Sequence, residues 1–159
     1  MGNLGIESGI AQQAINKLSD ELQGLPTSLS DAVSSVQRFT AVNNSLAYST
    51  DAYLALNNAI LASGASTQMQ ASALEQITQA YSKGKPEMQD WKTMIQTMPA
   101  QLKQVGLAMG YASTTELYDA LQSGEITMQD FMDTVMRLNT EGVAGFASFA
   151  EQARGATGG

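Results

Sequence analysis

The chain has 159 residues, 43% apolar and only 14% charged, with 15 acids against 8 bases and a net charge of −7. That length supports one domain with a real core, but the acidic balance and scattered bases disfavour nucleic acid, whose affinity comes from Lys and Arg neutralising phosphates, and likewise an anionic membrane. The absence of Cys and His excludes disulfides, thiolate nucleophiles and Cys-based zinc sites, and removes the commonest general base.

The punctuation along the chain is helical. Ser8 is positioned to cap a helix with Ile10, Ala14, Leu18 and Leu22 on one face, stopped by Gly24 and followed by Pro26. Ser28 or Ser30 opens a second, with Leu29, Val33, Val36 and Phe39 at the steps of three and four that make one buried stripe. Asn43-Asn44 breaks it. Ser49 or Thr50 caps a third, carrying Tyr53, Leu56 and Ile60 before Gly64. Ser66 opens a fourth with Met69, Ala73, Leu74, Ile77 and Tyr81, closed by Gly84. Pro86 suits a first helical position, ahead of a fifth helix with Met88, Trp91, Ile95 and Met98. Pro99 starts a sixth, with Leu102, Val105 and Met109 before Gly110.

The next two starts carry the strongest local signals. Ser113 and Glu116 form a Ser-x-x-Glu capping box. Thr127 is a second N-cap, with Asp130 complementing the positive helix end and Ile126 and Phe131 spaced as a hydrophobic staple. That helix runs through Val135 and Leu138 to Gly142. A last helix holds Phe146, Phe149 and Ala153 and fades from Gly155. No segment alternates as a strand does, and no apolar run approaches the roughly 18 residues of a membrane span. Met1 to Ile10 has no basic region of the kind that opens a signal peptide. The expectation is an all-α fold: a compact bundle of about seven to nine short helices joined by Gly, Ser and Pro turns. Residues 1–24 form an N-terminal helix, read as an arm, and residues 25–159 one folded unit. The predicted core includes Met88, Trp91, Met98, Phe131 and Val135.

Candidate chemistry is thin. Glu116 with Asp119, and Asp130 with Asp133, are carboxylates three apart, a spacing open to acid-base or metal work. They sit in first helical turns, where acids stabilise the helix end. Ser82-Lys83 and Lys85 flank Gly84 and Pro86, a turn in which an exposed Lys stays protonated and useless as a base. The glycine-rich tail lacks the Lys-Ser/Thr ending of a phosphate loop. A helix-turn-helix over Gln101 to Leu121 would present Glu116 and Asp119, and no base, to phosphates. The nine Met residues, seven of them from Met88 onward, read as core filling around Trp91 or as an adaptable interface. Asn57-Asn58, between Leu56 and Ile60, reads as a solvated face or as inter-subunit hydrogen bonding. The candidate interface residues are therefore Asn57, Asn58, Lys83 and Lys85. No catalytic residue, cofactor or metal site is expected, and the class is an assembly module, with a general helical protein-binding module as the alternative.

Five blocks carry a family resemblance: GLPTSLSDAVSSVQRFTAVNNSL (24–46), LALNNAILASGAS (54–66), QASALEQITQAYSKGKPEMQDWKTMIQTMPAQLKQVGLAMG (70–110), GEITMQDFMDTVMRLNTEG (124–142) and SFAEQARGATGG (148–159). The most specific is KGKP-x-x-x-x-W followed by MPAQLKQV, within Lys83 to Val105. Together they resemble the tape measure proteins of long-tailed bacteriophages and prophages. The resemblance implies a virion protein inside the tail tube, assembled in the host cytoplasm. Its partners would be tail-tip or baseplate, tube and assembly-chaperone proteins, and self-association is open. In that family the length of a long helical chain sets tail length. At 1.5 Å per residue this chain, even wholly helical, would reach only about 240 Å, and its Gly and Pro breaks fold it back. It reads as one module of a longer chain.

Overall fold

Leu46 to Ala62 is the segment around which the others are placed. Its sequence, LAYSTDAYLALNNAILA, is apolar on every side and not along one stripe, the pattern of a helix with no solvent face. In the computed structural model, which describes residues 3–23, 29–64, 66–143 and 145–157, this helix is buried from Ser49 to Leu61 except at half-buried Asp51.

Nine helices are seen among the described residues: α1 (Asn3–Glu21), α2 (Leu29–Asn43), α3 (Leu46–Ala62), α4 (Thr67–Lys83), α5 (Met88–Thr97), α6 (Pro99–Ala108), α7 (Thr114–Ser123), α8 (Met128–Thr140) and α9 (Phe149–Thr157). They form an all-α bundle. Helix α3 packs against α1, α2, α4, α6, α8 and α9. Among the described residues the only extended pairing is an isolated antiparallel bridge between Val143 and Phe146.

Most boundaries follow the local chemistry. Ser66 and Thr127 accept hydrogen bonds from the backbone N–H groups of Met69 and Asp130, satisfying donors that the first helical turn leaves free. At Ser113 the box is shifted by one residue: Ser113 Oγ accepts from Glu116 N, while the Glu116 carboxylate accepts from Ala112 N at 2.8 Å. Gly84 ends α4 in the left-handed conformation at φ 95°, which costs glycine nothing. Pro99 stands at the start of α6.

Other starts differ from expectation. Helix α1 already runs from Asn3, so Ser8 lies inside it; the Gly24 stop, Pro26 and the Ser28 cap lie outside the described residues. The cap of α3 is Ser45, whose side chain accepts from Tyr48 N. Ser49 and Thr50 lie a turn inside, and Thr50 Oγ1 donates to Leu46 O, the local alternative open to any helical Thr. Pro86 precedes the cap of α5: Glu87 and Asp90 form that capping box. Helix α9 begins at Phe149, because Val143 to Phe146 closes as a turn, and it continues across Gly155 to Thr157. Phe146 is thus exposed. Gly142 is sterically obliged there: a Cβ would stand 2.1 Å from Phe146 O.

The core runs through every helix. Phe39 and Tyr81 meet edge-to-face at 5.5 Å between α2 and α4, and Trp91 and Tyr118 meet in a tilted arrangement at 5.3 Å between α5 and α7. Trp91, Met98, Phe131 and Val135 are buried. Met88, expected in the core, is 52% exposed. It is the first residue of α5, one turn ahead of Trp91, and overhangs the end of the packed layer. Replacing fully buried Met94 by Ala is therefore expected to lower stability by about 2–5 kcal/mol, whereas Met88→Ala changes it by less than about 0.5 kcal/mol. Urea unfolding of the two variants measures both, and equal losses would contradict the assignment of Met88 to the surface.

Candidate interaction surface

Asn57 and Asn58 show how a polar pair is held within the bundle. Both are buried, so they do not form a solvated face. The reason is the all-round burial of α3. Asn58 Nδ2 donates to Asn139 Oδ1 of α8 at 2.8 Å, which offsets the cost of removing an amide from water.

Lys83 and Lys85 are exposed but occupied within the chain. Lys83 Nζ lies 3.1 Å from the carboxylate of Asp90 and 3.3 Å from that of Glu87. Asp90 is buried, and its carboxylate also accepts from Glu87 N at 2.9 Å. Its hydrogen bond holds the Lys83 ammonium above the usual lysine range. Lys85 Nζ donates to Gln122 O at 3.3 Å, and Gln122 Nε2 donates to Pro86 O. These groups tie the α4–α5 turn to α7.

Two further polar clusters were not foreseen. Tyr48 Oη donates to Asp133 Oδ1 at 2.9 Å and receives Gln129 Nε2. Tyr81 Oη donates to Gln129 Oε1 at 3.1 Å, so α3, α4 and α8 are joined. Burial, then the Asp133 carboxylate, raises the Tyr48 hydroxyl pKa well above its ordinary value. The second cluster lies between α6 and α9. Gln101 Nε2 donates to Gln152 Oε1 at 3.1 Å, and Gln152 Nε2 donates to Gln104 Oε1 at 2.9 Å and to Ala147 O at 2.7 Å. No local signal marks either: Gln101 and Gln104 read as surface residues beside Leu102 and Val105.

Three of the four paired carboxylates have separate structural jobs. Asp130 caps α8 while Asp133 accepts from Tyr48; Glu116 caps α7. Among the described residues no group of three or more His, Cys, Asp or Glu side chains is arranged to hold a metal, and no helix is long and apolar enough to cross a membrane. The largest exposed apolar side chains, Ile15, Leu29, Val42, Met69, Met88 and Phe146, come from five different parts of the fold. From Gln104 to Met136 the chain presents five exposed acids, Glu116, Asp119, Glu125, Asp130 and Asp133, and no base. Lys85 and Arg137, from outside the stretch, donate to Gln122 O and Ala108 O within it. A cleft of about 160 Å³ lies between α1 and α3, lined by Gln13, Ala14, Lys17, Leu46, Ala47, Thr50 and Asp51, with Lys17 paired to Asp51 at its rim.

A family model described as tape measure protein matches residues 1–158. No curated protein sequence and no solved structure matches the chain.

The Tyr48 cluster yields a pH dependence with a definite sign. A raised tyrosine pKa contributes stability that is complete below the ordinary value of 10.0 and is lost as pH climbs through the raised value. Tyr48→Phe is expected to cost about 0.5–1.5 kcal/mol near neutral pH. It should then lose less further stability than the unmodified protein between about pH 8 and pH 11. Denaturant titrations at the two pH values measure this; an identical alkaline loss in both proteins would remove Tyr48 from the account.

Proposed function

The chain belongs to the tape measure protein family, and from that premise we propose that it is a folded docking module of the tape measure, binding other tail proteins through its outer surface. Membership makes it a structural protein of a bacteriophage tail. The observation that carries the finer reading is α3: a helix wrapped by six others is a closed globular unit, unlike an extended helical ruler.

The tape's length is then set by other parts of the protein, and this module supplies an attachment point. Its partners are tail-tip or baseplate, tube and assembly-chaperone proteins, met first in the host cytoplasm and later inside the tail. The exposed acids between Gln104 and Met136 favour a partner face that is neutral or basic, because like charges brought together across an interface cost affinity. The module performs no catalysis in this reading, which is supported by the use of Asp130, Asp133 and Glu116 as caps and hydrogen-bond acceptors within the fold.

Deleting the segment from a phage that carries it should abolish tail assembly or leave few infectious tails, scored by plaque titre and electron microscopy. Shortening tails by about 240 Å or less without loss of titre would instead assign the segment to the ruler. Normal numbers of infectious tails of normal length would refute the docking role.

A further inference from the structure

Among the described residues every helix but one packs broadly against at least two others; α7 has α6 as its single extensive neighbour. It is also a closed excursion of the chain. Gly110 at φ 94° and Gly124 at φ 84° stand at its two ends. Tyr111 Oη donates to Glu125 Oε2 at 2.5 Å, so the way in and the way out are tied together at the base. Leu117, Ala120 and Leu121 form the buried side of α7, and Tyr118 lies against Trp91.

The seam with α6 is not filled to its limit. At Gly106 of α6 a Cβ would meet Tyr111 O at 3.5 Å, Ser113 O at 3.7 Å and Leu117 Cβ at 3.9 Å, all ordinary contacts. The seam therefore has room for a methyl group that it does without, although glycine weakens a helix interior and the absent atoms forgo dispersion contacts. On its other side α7 is held by the α4–α5 turn. Gln122 Nε2 donates to Pro86 O, and Lys85 Nζ donates to Gln122 O at 3.3 Å. Lys85 is exposed and Gln122 half-buried, so water replaces these bonds at small net cost when the groups part. Lys85, Pro86 and Trp91 all belong to the block KGKP-x-x-x-x-W. The first two hold α7 down, and the third lies against it.

We propose that α7 is a hinged lid. It swings away from α6 and Trp91 about Gly110 and Gly124, with Gln122 on the Lys85–Pro86 turn as its latch, while the other helices stay folded. Opening bares the side of Trp91 that Tyr118 covers and the Gly106 face of α6. The inference rests on the seam and the latch and is independent of which tail protein the module meets.

Native-state hydrogen exchange on the intact protein tests it. A ten-residue helix does not hold its shape undocked. Amides from Tyr118 to Gln122 are therefore expected to share one opening free energy and to exchange at least about tenfold faster than those of Phe131 to Leu138. Two substitutions separate a lid from simple fraying. Gln122→Ala removes the latch but favours helix, so exchange about two- to tenfold faster throughout α7 reports the lost latch. Ile60→Val weakens the core that stays folded when the lid opens. It should speed exchange in α8 by about two- to tenfold and leave α7 unchanged. Protection of α7 equal to that of α8, a gradient along α7, exchange unmoved or slowed by Gln122→Ala, or α7 accelerating with α8 in Ile60→Val would each overturn the proposal. Should either variant not fold, the shared and lower opening free energy in the unmodified protein decides.

Discussion

The burial of α3 on all sides is the constraint on which the other helices depend. Tyr53, Leu56, Ile60 and Leu61 are almost wholly removed from water, each stabilising the fold by about 1.5–3 kcal/mol. No single partner can cover a helix that is apolar all round, so segments from both ends of the chain converge on it. Ala52, Ala55 and Ala59 repeat at steps of three and four, and such small side chains let neighbouring helices approach closely. The polar residues of α3 then restrict how the shell is arranged. Asn58 meets Asn139 of α8, and rotating α8 away would leave a buried amide unsatisfied at about 1–3 kcal/mol. Tyr48 adds a second tie to α8 through Asp133 and Gln129.

This architecture bears on the part the domain plays in a tape measure protein. Most of its apolar side chains are spent inward, several of its ionic groups serve as caps and ties, and what remains outside is largely polar, with scattered apolar side chains such as Ile15 and Met88. The proposed docking role needs a unit that keeps its shape while a partner binds. The domain is poorly suited to extension, because drawing α3 out of the bundle exposes the whole core.

Much of the fold was legible because helix ends are local chemistry. Ser66, Ser113 and Thr127 face free backbone donors within three residues, and Gly84 and Pro99 have backbone preferences of their own. The misreadings share a different cause. Ser45, Ser49 and Thr50 are all competent caps, and the choice of Ser45 depends on where α2 ends, at Asn43, with Asn44 turning the chain at φ 60°. Met88 keeps the helical rhythm, but rhythm does not say where the packed layer stops. Asn57 and Asn58 look like surface residues until the opposite helix is known, and Asn139 lies 81 residues beyond Asn58. The family resemblance identified the protein class, and neither it nor the residue pattern foretold the ties at Tyr48 or Gln152.

The central claim, that the other helices depend on the burial of α3, is tested most directly by native-state hydrogen exchange measured against urea. The account predicts that amides from Tyr53 to Leu61 exchange only through global unfolding, with an opening free energy equal to that from denaturant unfolding and the same dependence on urea. Exchange of those amides at a distinctly lower free energy, with the helices around them still protected, would contradict it.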